Sequence, residues 1–142
     1  MSRSGYSDDY EGVELWRGAV KSAIRGKRGQ AFFRDLAAAL DAMPEKRLIA
    51  DELQTAEGEF CTIGVLGHAR GVDMAKLDPE DRDAVGAAFN IAPALAAEIV
   101  FENDENDYHW NAALGHIEYD TPEQRWVRMR QWVEANLIKE PK

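Results

Sequence analysis

A chain of 142 residues with 45% hydrophobic and 30% charged content has the make-up of one folded, soluble domain rather than of a disordered chain. No apolar run approaches the length that spans a bilayer, and the N-terminus MSRSGYSDDYEG lacks the apolar stretch of a signal peptide. The net charge of −9 is concentrated in the middle: residues 51–120 carry 16 acidic side chains against three basic ones, a balance that disfavours nonspecific binding to nucleic acid or membrane.

Residues 1–12 read as a flexible, polar arm and 13–142 as a single domain. The segment VELWRGAVKSAIR predicts a helix over 13–25, with Val13, Trp16, Val20 and Ile24 turned to the core. After a GKRG loop, QAFFRDLAAALDAM predicts a helix over 30–43. Its stripe is Phe32, Leu36, Leu40 and Met43, and Pro44 ends it. Residues 48–53 and 59–62, with Gly58 in the turn between them, predict a small β-hairpin. The next piece fits a strand or a helix by pattern. A helix over about 62–70, closed by Gly71 in the left-handed conformation, is the preferred reading.

Asp78 reads as the N-cap of a helix with Pro79 in its first position. A further helix spans Ile91 to Glu102, with Leu95 and Ile99 inward and Asn103 ending it in a left-handed turn. Residues 103–120 show no clear periodicity and read as an exposed connection. The last helix has the strongest start signal in the chain. Thr121 is the cap, Pro122 the first residue and Gln124 the capping-box partner, followed by a stripe of Trp126, Met129, Val133 and Leu137. The fold class is therefore mainly α: a compact, single helical domain of five or six helices with one small β-hairpin.

Chemistry-bearing residues are few. In the stretch FENDENDYHWNAALGHIEYD, the residues His116, Glu118 and Asp120 alternate as they would along one strand face, and His109 is a fourth candidate ligand. The spacing matches no established metal motif, and Asp120 adjoins the Thr121 cap, so no specific metal and no cofactor is expected. Glu102, Asp104, Glu105 and Asp107 form an acidic cluster without the ligand ladder of a calcium loop, and suit contact with a basic protein surface.

The opposite charge gathers at Arg17, Lys21, Arg25, Lys27 and Arg28, within a span of 17–34 that holds six Lys or Arg and no acid. This stripe leads into a helix N-terminus and is the candidate anion or nucleic-acid contact, although a solvated face answering acids of the same chain or of a second copy is the more ordinary reading. Trp132, with Arg125 and Arg128 nearby at helical spacing, is a candidate for stacking on a base or for a protein interface. The single cysteine, Cys61, excludes an internal disulfide, sits in an apolar context that suits an unreactive thiol, and fits a reducing, cytoplasmic setting. No catalytic constellation emerges, and none of the GxSxG, HExxH, GxGxxG or P-loop motifs is present.

Three pieces of the sequence, RGKRGQAFF, then LDAMPEKRLIADEL with GEFCTIGVLGHARG, then IAPALAAEIVFENDE followed by TPEQRWVRMRQWV, together resemble a group of small uncharacterised proteins of bacteriophages and prophages of proteobacteria. The resemblance covers most of the chain between residues 17 and 137 and carries no activity or site residue with it. It implies an accessory protein acting in the bacterial cytoplasm. The expected function is a non-enzymatic interaction module whose acidic surface engages a host or phage protein, host defence proteins among them. Nucleic acid ranks second as a partner, a second copy of the chain is a further candidate, and membrane is not expected.

Overall fold

The structure is a computed structural model that describes residues 13–105 and 108–139; the arm expected at 1–12 and the acidic Asp107 lie outside them. In chain order the elements are α1 (Val13–Arg25), α2 (Lys27–Asp41), α3 (Thr62–Arg70), a 3-10 turn (Met74–Lys76), α4 (Arg82–Phe89), α5 (Pro93–Asp104), β1 (Tyr108–Asn111), β2 (His116–Tyr119) and α6 (Pro122–Asn136). The protein is thus mainly α with one small antiparallel hairpin, as the sequence predicts. The hairpin, however, is not where the sequence places it.

Two helices organise the core. α5 packs against α1, α3, α4 and α6, while α2 packs against α1, α3 and α6. Phe32, Phe33, Leu36 and Leu40 of α2 are fully buried with Leu95 and Ile99 of α5, Ile63 and Leu66 of α3, and Met129 and Val133 of α6. Phe32 meets Phe33 and Phe89 edge to face, the geometry that aromatic quadrupoles prefer. Met43 falls just beyond α2 and is only partly buried.

The expected GKRG loop is a single residue. Gly26 breaks the helix with an extended backbone, and α2 starts at Lys27 rather than at 30. The tight corner depends on Gly29, where a Cβ would stand 1.9 Å from the Ala23 carbonyl oxygen of α1. Buried Gln30 then ties the corner to the end of α6: its amide donates to the carbonyls of Ile24 and Asn136, and its oxygen accepts from the Ile138 N–H.

The hairpin expected over 48–62 reduces to an isolated bridge between Gln54 and Phe60. Hydrogen bonds from Ile49 to Phe60, from Thr55 to Glu59 and from Cys61 to Leu53 cross between its two halves, but Asp51 has a φ of 71°, which breaks the extended run, and other backbone groups a ladder needs are spent elsewhere. The Leu48 N–H goes to the Pro122 carbonyl, and the Leu48 and Ile49 carbonyls accept from Arg125 and Asn103. The helix over 62–70 forms as preferred, with Gly71 in the left-handed conformation at its end and the Cys61 sulfur accepting from the Gly64 N–H at its start. Gly64 packs so closely on the Leu53 carbonyl that a Cβ would come within 1.8 Å of it.

Two caps move. Asp78 does not start α4. Its carboxylate accepts from the Glu80 N–H to form a preceding turn, and Asp81 is the N-cap, accepting from the Ala84 N–H. Asn103 does not end α5 in a left-handed turn; it sits inside the last turn, because its side chain has partners across the core. α6 begins as read, with both halves of the Thr121–Gln124 capping box formed.

Candidate functional site

Asn103 and Arg125 set the base from which the only sheet among the described residues projects. The Asn103 side-chain oxygen accepts from the Thr62 N–H and hydroxyl, at 3.1 and 2.7 Å, and its amide donates to the Ile49 carbonyl at 2.9 Å. Buried Arg125 donates to the carbonyls of Asn103 and Leu48 at 3.0 and 3.2 Å. Arg128 donates to the carbonyls of Glu102 and Asn103 and to the carboxylate of Asp120. Two guanidinium groups therefore meet the negative end of the α5 dipole, and one of them also pins the residue that follows β2.

From this base the chain makes an antiparallel hairpin. Tyr108 pairs with Tyr119, His109 with Glu118, Trp110 with Ile117, and Asn111 with His116. Because side chains alternate along a strand, one face collects Tyr108, Trp110, Ile117 and Tyr119, and the other His109, Asn111, His116 and Glu118. The tip, residues 112–115, is closed by hydrogen bonds from the Leu114 and Gly115 N–H groups to Asn111 and by Gly115 at a φ of 72°.

The two strands of the hairpin pack chiefly on each other. Its apolar face is open: Tyr108 is 58% exposed, Trp110 64%, Ile117 52% and Tyr119 68%, with Leu114 at the tip 62%. Tyr108 and Tyr119 touch edge to face with ring centres 6.4 Å apart. Scattered surface leucines are ordinary, but four large apolar side chains gathered on one uncovered face mark a contact surface. The sequence carries a signal for this: YHWN and HIEY each alternate apolar with polar around the short AALG tip. Four residues per strand and a turn without Asn-Gly make that signal faint.

The candidate metal residues divide. His109 and Glu118 face each other across the strands, Nε2 to Oε2 at 3.4 Å, and His116 shares their face opposite Asn111. Asp120 lies beyond the strand and is held by Arg128. Among the described residues no group of three His, Cys, Asp or Glu side chains is arranged to hold a metal ion.

The acidic candidates are in part structural. The Asp104 carboxylate accepts from the Asp51 N–H and the Asn103 amide, and Glu102 and Glu105 are half-buried at the end of α5. The wider charge pattern is plainer than the cluster: residues 83–124 contain nine acidic side chains and no Lys or Arg.

The basic candidates are spread over two helices. Arg17 and Lys21 line a shallow pocket of about 190 Å³ together with Glu98, Glu102 and Trp132. Lys27 and Arg28 are exposed in the first turn of α2, where Arg28 reaches the Asn90 side chain at 3.4 Å. Arg25 is exposed in the last turn of α1. Trp132 leans on Phe33, with ring centres 5.5 Å apart, and its neighbours Arg125 and Arg128 are engaged at the end of α5, so the three do not assemble a stacking platform. Cys61 is buried at the start of α3, while His68 is exposed and lies against the Phe60 ring at 4.9 Å.

No helix among the described residues is long and apolar enough to cross a membrane. The chain matches no protein-family model, no curated protein and no solved structure.

Proposed function

We propose that this chain is a non-enzymatic protein-interaction module that docks a partner through the hairpin 108–119, with the acids around its base steering a partner surface that is apolar at its centre and basic at its rim. One observation carries the reading: the apolar face of Tyr108, Trp110, Ile117 and Tyr119 stands uncovered on a rigidly rooted projection. Aromatic side chains on a short hairpin are the anchors that interface cores use, and they lose little rotamer freedom on binding. The charge pattern of 83–124 supports a basic rim on the partner, since complementary fields raise association rates and reject acidic surfaces. The resemblance to phage-borne proteins supports a host or phage protein as that partner, a host defence protein included.

The test is capture from a bacterial lysate, then titration of the purified partner against wild type and two variants. Trp110→Ser with Tyr119→Ser weakens binding by about 30-fold, the loss of an aromatic hot spot. Glu102→Gln with Glu105→Gln slows association and flattens its salt dependence. Equal binding by the Trp110/Tyr119 variant rejects the hairpin as the contact.

The second reading, a nucleic-acid contact through the basic stripe, draws on the exposed Lys27 and Arg28 at the start of α2. It requires salt-dependent binding that Lys27→Glu with Arg28→Glu abolishes. Binding indifferent to that pair removes it.

A further inference from the structure

A second feature, independent of the hairpin, lies between α2 and α3. A groove of about 540 Å³ runs between the end of α2 and the outer face of α3. Ala39, Ala42 and Met43 line one wall and Val65, His68 and Ala69 the other. Val65, His68 and Ala69 lie on one face of α3, while Ala42 and Met43 continue the line of Ala39 just past the end of α2. Ile49 and Phe60 extend the apolar lining and pack against the core, making the groove an open continuation of it. A trough between two packed helices, with small side chains along both walls, has the shape that accepts the ridge of a third helix.

The rim selects the sign of that helix. Glu45 and Glu59 line the groove, and its one guanidinium, Arg47, is shared between Glu59 at 3.5 Å and Glu123 at 4.0 Å. The neighbouring Lys46 is turned to the end of α2, where its ammonium donates to the carbonyls of Asp41 and Met43 at 2.6 Å and sits over the Trp126 ring. Two carboxylates therefore line the groove against one guanidinium, and that guanidinium is already paired.

We propose that this groove binds an amphipathic helix of a partner protein, with apolar side chains one turn apart in the trough and Lys or Arg along its flank. A second copy's basic α1 fits less well: α1 already packs on α5 and α2, and among its described side chains Leu15 is the one large apolar side chain that stands exposed.

The probe is a fluorescein-labelled peptide of about 16 residues, long enough to populate a helix, with leucines one turn apart and flanking lysines. A matched peptide carries glutamates in place of the lysines. Fluorescence anisotropy with the full chain gives saturable binding of the lysine peptide at about 10–100 µM, and at least about tenfold weaker binding of the glutamate peptide. Ala69→Trp, at an exposed position, fills the trough and weakens the lysine peptide at least about tenfold with circular dichroism and melting unchanged. Glu45→Lys, also exposed, tests the charge without filling the groove and costs about threefold or more. Trp110→Ser binds the peptide as wild type does, which separates this site from the hairpin. The proposal is overturned by absence of saturable binding below about 1 mM, by equal affinity for the two peptides, or by equal binding in Ala69→Trp. It is also overturned if the unliganded chain self-associates in sedimentation and Ala69→Trp abolishes that association, since the occupant is then a second copy.

Discussion

The root of the hairpin and the hairpin itself invert the usual order of inside and outside. At the root, Asn103 and Arg125 are polar, buried and fully engaged across four segments of the chain. A few residues on, Tyr108 and Trp110 are aromatic and in the open. Hydrogen bonding decides the first case, because a buried polar group is tolerated only with its partners in place. The second has no such local balance, since beyond the edge contact of Tyr108 with Tyr119 most of the aromatic face is left to solvent. The difference teaches that the root serves stability and the projection is available for binding. Four substitutions break or sharpen that division.

The largest effect is expected at Arg125. Arg125→Met keeps the length of the side chain but leaves the carbonyls of Leu48 and Asn103 without its donors and removes a cation from the end of α5. Urea unfolding should show a loss of about 3 kcal/mol. A loss below about 1 kcal/mol would mean that the root is not the anchor its geometry makes it.

Next in size is the start of α6, which follows β2 directly. Thr121→Ala removes the side-chain oxygen that accepts from the Gln124 N–H and leaves only the other half of the capping box, in which the residue 121 backbone N–H donates to the Gln124 side chain. The expected cost is about 1 kcal/mol by the same measurement, recovered in large part by Thr121→Ser.

At the hairpin the expected effect on global stability is smaller still. Trp110→Ser changes the unfolding free energy by no more than about 0.5 kcal/mol, since the side chain is 64% exposed. Native-state hydrogen exchange should find the amides of 108–119 opening at far lower free energy than those of α2 and α6. A Trp110→Ser variant that loses several kcal/mol would place the hairpin in the core's cooperative unit and remove the ground for reading its face as free.

How much of this was legible depends on how far each signal reaches along the chain. α6 was readable because Thr121, Pro122 and Gln124 are neighbours and their capping is local. The end of α5 was not, because the partners of Asn103 are Thr62, Ile49 and Arg125, set by packing rather than by spacing. The two hairpin candidates show the same limit. Residues 48–62 have apolar runs and a turn glycine, and the Ile49 N–H does reach the Phe60 carbonyl, but α6 and Asn103 claim the Leu48 N–H and the Leu48 and Ile49 carbonyls, and no continuous ladder forms. Residues 108–119 meet no such competition and pair freely, although the acidic run before them hides their alternation. Of the candidate site, the acids were visible as composition. The aromatic face was not, because exposure of Tyr108, Trp110, Ile117 and Tyr119 together is a property of the pairing register.

The smallest expected effect is a pair of intermediate character. Asp41 at the end of α2 and Arg130 on α6 form a two-pronged ion pair at 2.9 and 3.1 Å, with the aspartate side chain more than half exposed. The hydrogen bond from Arg130 holds the Asp41 carboxyl below its ordinary value of 3.8, against a smaller opposing effect of burial. A carboxyl lowered on folding adds stability that is complete above its unfolded value and is lost as pH falls through the folded one. Solvent screening at an exposed site limits the contribution to about 0.3 kcal/mol at neutral pH. Asp41→Asn should therefore unfold more easily than wild type by about that amount at pH 7, with the gap closing as the pH falls through the lowered folded value of the Asp41 carboxyl. A gap that stays constant across the range would show that Asp41 acts through packing or helix-end effects rather than through its charge, and the tie between α2 and α6 would then belong with the buried root rather than with the surface.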